Sequence, residues 1–302
     1  MDPLNTKFVS VFSGKGGVGK SLLTILLADY LSSAEVKITD QEKRNFRILL
    51  VDMDDQCSIA SHLLSEEMVT LMDQKKLSLP NVVSRLTKLQ SVEKWLPPII
   101  KRREVIHSDS KMKKLGEVDV IHSSNQTSLI DFLSSSSPEE SLLIAQNLKS
   151  FLCRKYDFVF IDLPSSNIPN HYSLIGLILA EHFIIPTCCS ALEVFSFPRT
   201  FQLLKDVKKQ KGDDFLHEIH GLVLNMVDKR SKTWKTRREE IESIALSNNL
   251  NKTYSTHLNF NNSLMNASLY GGESLKEKFS TVAVKTRLLA VQILHDLGFR
   301  LQ

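Results

Sequence analysis

Apolar residues in this chain gather into short continuous runs instead of alternating with polar ones. Such runs occupy residues 8–12, 48–51, 118–121, 158–161, 183–185 and 222–224, each bounded by polar positions. Strands buried on both faces read this way, because neither face can carry a polar side chain. Between the runs, apolar residues recur at helical spacing over 21–31, 139–152, 198–209, 236–247 and 282–297. Alternating strands and helices predict an α/β fold: a mostly parallel, twisted sheet flanked by helices. The start of the 139–152 helix is well signalled. Ser137 can cap it, Pro138 suits the first turn and Glu140 completes a capping box, which leaves 134–137 as loop.

Residues 64–116 break the alternation. They are rich in Lys and Arg, are interrupted by Pro80, Pro97 and Pro98, and lack a clear buried strand. We read them as a helical insertion within one domain spanning 1–302, since 302 residues suffice to bury a full core. A formal net charge of +4 is too small to indicate a partner. Cys57, Cys153, Cys188 and Cys189 form no C-x-x-C pair and no zinc-finger spacing with histidine, so a reducing cytosol is expected. No apolar run approaches the roughly 18 residues a spanning helix needs, so the expected location is cytoplasmic.

Chemistry enters at the end of the first predicted strand. Gly14, Gly16, Gly17 and Gly19 allow successive backbone N–H groups to turn inward, Lys20 can reach β- and γ-phosphates, and the Ser21 hydroxyl can ligate magnesium. With Lys15, Val18 and Leu22 these residues form a candidate nucleotide cradle of the G-x-x-x-x-G-K-S type, which calls for a nucleoside triphosphate with Mg2+. Magnesium also needs a strand-end carboxylate, and Asp162 closes the 158–161 run.

The segment Lys15 to Ser21 resembles the signature K-G-G-x-G-K-S/T of the ParA/MinD-type deviant Walker A ATPases, closest to the ParA/Soj-like DNA partition proteins. The resemblance implies a P-loop NTPase fold, ATP as the nucleotide and a homodimer formed on ATP binding, with Lys15 reaching the partner's phosphates. Further blocks are similar. The run LLVDMDDQ matches the family's L-L-V-D-x-D-P-Q, which implies that Asp54 positions the attacking water and that Asp52 lies near the magnesium shell. YDFVFIDLP resembles the Walker B and switch II block, giving Asp162 its magnesium role. LVLNMVD resembles the strand that ends beside adenine, making Asn225 a candidate base contact, with capping of its own turn as the alternative. The chain departs from the pattern at Asp55 and Ser165, where the family has proline, and both bear on switch rigidity and hydrolysis rate.

The same resemblance implies a DNA-dependent process. Lys229, Arg230, Lys232, Lys235, Arg237 and Arg238 cluster around Trp234, as non-specific phosphate contact requires, although a charge run is also what a solvated helix face looks like. The counterpart of the family's C-terminal I-P-R-N block reads Leu258, Asn259, Phe260, Asn261, so a second basic position is missing. Lys101, Arg102, Arg103, Lys111, Lys113 and Lys114 offer compensating charge. The C-terminal helix carries few cations and reads as core packing, not a membrane anchor. The implied function is an ATPase switch that binds non-specific DNA in plasmid or chromosome partition, associated with the nucleoid and stimulated by a DNA-binding or cargo adaptor protein. The alternatives are a positioning ATPase for a protein cargo or membrane site, and a small-molecule ligase or kinase on the same scaffold.

Overall fold

The computed structural model describes residues 5–37, 43–54, 56–87, 101–106, 114–123, 137–153, 155–166, 169–212, 216–227, 232–258 and 280–299. Its strands are β1 (Lys7–Val11), β2 (Glu35–Lys37), β3 (Lys43–Asn45), β4 (Ile48–Asp52), β5 (Lys101–Ile106), β6 (Lys114–Ile121), β7 (Phe158–Asp162), β8 (His182–Thr187) and β9 (Glu218–Leu224). The helices are α1 (Lys20–Ser33), α2 (Ser58–Leu63), α3 (Glu66–Gln74), α4 (Leu79–Thr87), α5 (Pro138–Leu152), α6 (His171–Leu179), α7 (Ala191–Lys211), α8 (Trp234–Ser247) and α9 (Ser280–Asp296).

Seven strands form one sheet in the order β5-β6-β4-β7-β1-β8-β9, and β2 and β3 form a separate hairpin. All neighbours in the main sheet are parallel except β5, which runs antiparallel to β6. The buried runs become its central strands because both faces are covered. On one face Phe8, Leu49, Val51, Val159, Ile161, Phe183 and Leu222 meet α4 to α8; on the other Val9, Val11, Ile48, Leu50, Phe158, Phe160 and Val223 meet α1, α2, α3 and α9. Alternate residues of each run therefore serve opposite layers.

Below β7, buried Asp157 takes a hydrogen bond from Arg44 Nη2 at 2.7 Å and another from the Arg47 amide at 2.7 Å, tying the hairpin to the sheet. Chain order reverses around β1. The strand after β1 in the main sheet, β4, lies on the far side of β7, and β8 lies on β1's other flank. A crevice at the strands' C-terminal ends follows from that reversal, and this is where open α/β sheets hold ligands.

Two expectations need correction. The 64–116 segment is not wholly helical: α3 and α4 lie within it, but β5 pairs with β6 from Lys101↔Val120 to Ile106↔Lys114, and β6 starts before the apolar run at Val118. An edge strand of sequence KRREVI offers no continuous apolar run, because charge suits a strand with one neighbour. The helix expected over 198–209 begins at Ala191, with Pro198 inside it. Ser190 is its cap, accepting from the Glu193 amide at 3.2 Å.

The predicted box at α5 is present: Ser137 Oγ accepts from the Glu140 amide at 3.2 Å, and the Ser137 amide donates to Glu140 Oε2 at 2.8 Å. Ser137→Ala should lower unfolding stability by about 1 kcal/mol in urea melts, with the slope unchanged.

Candidate phosphate-binding and metal site

β1 delivers its chain into a loop that closes through glycines. Gly17 and Gly19 both have φ of 77°, a left-handed backbone that L side chains rarely adopt. At Gly19 the space is also closed, since a Cβ would lie 2.6 Å from Asn225 Nδ2. α1 begins here with no side-chain cap and no acidic residue in its first turn, so the positive end of its dipole is left for an anion. Side chains from three directions hold the loop. Thr200 of α7 accepts from the Gly14 amide at 3.1 Å, Ser13 Oγ accepts from the Lys15 amide at 3.3 Å, and Asn225 Nδ2 donates to the Val18 carbonyl at 2.8 Å. The Asn225 oxygen accepts from the Met226 amide at 3.0 Å, so this residue joins the end of β9 to the loop while capping its own turn.

Lys20 is buried. Its ammonium donates to the Lys15 carbonyl at 3.4 Å and to the Ser165 hydroxyl. Burial pushes its pKa down, and the nearby carboxylates Asp162, Asp54 and Glu193 oppose that. Register places Asp52 and Asp162 side by side at the ends of β4 and β7, and both are fully buried. Their surroundings differ. Asp52 accepts from the amides of Ile59 at 2.9 Å and Ala60 at 3.0 Å, capping α2, and from the Asp54 amide at 3.2 Å. Among the described residues neither oxygen of Asp162 receives a backbone amide, and the Ser21 hydroxyl stands beside it as a donor.

Burial pushes the Asp162 carboxyl up to about 7; the Ser21 hydroxyl and Lys20 ammonium counter this, and Asp54 adds to it. Asp52 is raised as well, by burial first and the Asp162 charge second. An acceptor pair left open beside Ser21 fits a hard divalent cation such as magnesium, which takes oxygen ligands. Asp52, with its oxygens on backbone amides, fits a supporting place behind Asp162. Asp54 opens the turn before α2, its side chain accepting from the Gln56 amide at 3.0 Å.

Lys15 points back into its own chain. Its ammonium lies 2.9 Å from Ser190 Oγ and 3.2 Å from the Glu193 carboxylate, whose side chain is fully buried. Glu193 also receives the Cys188 thiol at 3.7 Å, and burial raises its pKa against the opposing effect of Lys15.

The structure thus brings Gly14 to Leu22, Asp52, Asp54, Asp162 and Asn225 to one end of the sheet. Of the basic cluster, Lys232 and Lys235 are exposed, while Arg237 pairs with Glu240 at 2.7 Å and Arg238 with Glu242 at 2.9 Å. Lys229, Arg230 and Asp55, the 259–261 part of the C-terminal block, loop residues 134–136 and Lys111 and Lys113 lie outside the described residues.

Sequence reasoning missed Ser165 as a Lys20 partner, Thr200 beneath the loop and the Ser190/Glu193 seat of Lys15. Only the last had a local signal, the S-x-x-E spacing of a helix start.

A carboxyl raised in the folded chain holds more protons folded than unfolded between about pH 4 and pH 7, so stability falls as pH climbs through that window. Asp162→Asn should therefore stabilise the nucleotide-free protein at pH 8, by about 2 to 4 kcal/mol, with the gain vanishing near pH 4. Urea melts across that range measure it.

A family model described as AAA domain matches residues 6–216. None of the curated proteins matches the chain. Among solved structures, a plasmid partition protein from Borrelia burgdorferi B31 bound to AMPPNP aligns with TM-score 0.66 and 19% identity, covering 96% of this chain and 99% of that one. The pNOB8 ParA bound to nonspecific DNA aligns with TM-score 0.64 and 17% identity, covering 97% and 99%. Cobyrinic acid a,c-diamide synthase from Mycobacterium smegmatis aligns with TM-score 0.66 and 19% identity, covering 98% and 97%.

Proposed function

Because the chain belongs to the AAA domain family, as a P-loop ATPase of the ParA/MinD type, we propose that it is an ATP-dependent dimerising switch that hydrolyses ATP and binds non-specific DNA in plasmid or chromosome partition. The observation that carries this reading is the convergence of three things at one sheet end: a glycine-built anion cradle, the buried Lys20 and the open oxygens of Asp162.

In this reading the loop amides and Lys20 hold the β- and γ-phosphates, with Ser21 and Asp162 as magnesium ligands and Asp52 behind them. Bound there, magnesium would neutralise phosphate charge and polarise the γ-phosphoryl group. Asp54, on the turn that Asp52 caps, orients the attacking water. Lys15 leaves Glu193 and Ser190 to reach the partner's phosphates, where a second cation stabilises charge in transfer. That exchange is supported by the exposed neighbours of its seat. Leu192 and Phe195, 72% and 81% exposed, stand on the same turn of α7, so a dimer or adaptor surface there is coupled to the position of Lys15.

DNA contact is supported by charge placement. Lys235 and Arg237 fall in the first turn of α8, which has no acidic residue and no side-chain cap. Cations sit poorly at the positive end of a helix dipole, whereas an approaching polyanion is favoured there. The helix ion pairs of Arg237 and Arg238 are partly exposed, so phosphate can replace their carboxylates at small cost. No helix among the described residues is long and apolar enough to cross a membrane. The shared scaffold of the cobyrinic acid synthase makes a synthetic enzyme the second reading.

Lys20→Ala should abolish ATP binding. Asp54→Ala should bind ATP and accumulate as dimer on size-exclusion chromatography, with hydrolysis down by about 100-fold or more. Normal turnover in either would contradict the assignment. Gel shifts with random-sequence DNA should show binding with ATP but not ADP, weakening steeply with salt. Equal binding with both nucleotides, or phosphate transfer to a small acceptor, would favour the other readings.

A further inference from the structure

At the opposite end of the sheet from the phosphate loop, β8 and β9 assemble a second group of donor atoms. Pairing sets His182 beside Glu218, and the pleat puts His220 on the same face as Glu218. The ladder then shifts: Phe183 pairs with Ile219 but Ile184 with Gly221, so His220 is the additional residue of a bulge. Bulges of this kind re-aim a side chain.

The side chains converge. His182 Nδ1 lies 2.9 Å from His220 Nε2 and 3.4 Å from Glu218 Oε2, and His220 Nε2 lies 3.6 Å from that oxygen. These separations leave a point about 1.9 Å from all three atoms, close to the ~2.0–2.1 Å that zinc keeps from imidazole nitrogen and carboxylate oxygen. A plain histidine pair needs only one N–H between two rings. The carboxylate oxygen set against both nitrogens adds a third donor whose atom lies within reach of the other two.

We propose that His182, Glu218 and His220 form a site for a borderline divalent transition metal, zinc foremost, that clips β8 to the edge strand β9. Two imidazoles and a carboxylate are the donor set such ions prefer. Glu218 is half exposed, leaving the outer side open for water as a fourth ligand. Burial holds both imidazoles below their ordinary pKa, so they present the neutral, ligating form. Lys7, Lys211 and Lys252 lie near enough to oppose a dication, while Glu218 and Asp296 favour one. The site is independent of the nucleotide reading, since it involves no residue of the phosphate loop.

Equilibrium dialysis of the full chain against Zn2+, without nucleotide, should load about one ion per chain; Glu218→Gln and His220→Asn should each weaken uptake by at least about tenfold. Glu218 is exposed enough for its variant to fold, which circular dichroism checks. Zinc should raise the melting temperature of the parent chain but not of either variant. Cobalt substitution should give a spectrum free of thiolate charge-transfer bands. No uptake by folded parent protein, equal affinity in the variants, or a thiolate band from the free cysteines would overturn the proposal.

Discussion

Two carboxylates buried side by side are the constraint around which this molecule is arranged. Asp52 and Asp162 are register partners at the ends of β4 and β7, both shielded from water and both raised in pKa. Like charges in that position are costly unless something positive stands opposite them. Asp52 is accommodated by three backbone amides. Opposite Asp162 the described residues set Lys20 and Ser21 against the added charge of Asp54, so the folded chain keeps part of an electrostatic demand that a divalent cation with a phosphate tail would meet. Local instability and ligand binding are then two consequences of the same burial.

The rest of the scaffold holds that demand in place. β1 lies between β7 and β8, so the loop that follows it reaches both the carboxylate pair and the start of α7. α7 supplies Thr200 to the loop backbone and Glu193 to Lys15, while β9 supplies Asn225 to the Val18 carbonyl. Gly19 is where these constraints meet, since its backbone is left-handed and the Asn225 amide fills the space a side chain would need. Lys15 stands apart from this rigid set. It is held by an ion pair and a hydroxyl in its own chain, beside exposed Leu192 and Phe195, so in the proposed dimerising role its charge and an apolar surface lie on one turn of α7.

Much of this was legible in the sequence. Continuous apolar runs marked the central strands because both faces of the sheet are covered, and the glycine spacing marked the loop because few other residues tolerate its backbone. Asp162 could be read from its place at the end of a buried run. What escaped reading depends on contacts distant along the chain. Ser165 matters through Lys20 and Thr200 through Gly14, while Asn225, read as a base contact or a cap of its own turn, makes that cap and also reaches the Val18 carbonyl; none of the three long-range pairs has a local signature. β5 escaped because an edge strand can be charged, and the start of α7 escaped because Pro198 looked like a first turn yet sits inside the helix. His182, Glu218 and His220 were invisible because their meeting depends on β8 and β9 pairing in one register, which no local spacing reveals.

Titration calorimetry of the wild-type chain with ATP, with and without Mg2+, tests the central claim most directly. If the open oxygens of Asp162 await a cation, magnesium should tighten ATP binding by at least about tenfold, as one charge-assisted ligand contact requires. Affinity for ATP that is the same in magnesium and in EDTA, or no binding by folded protein under either condition, would contradict it.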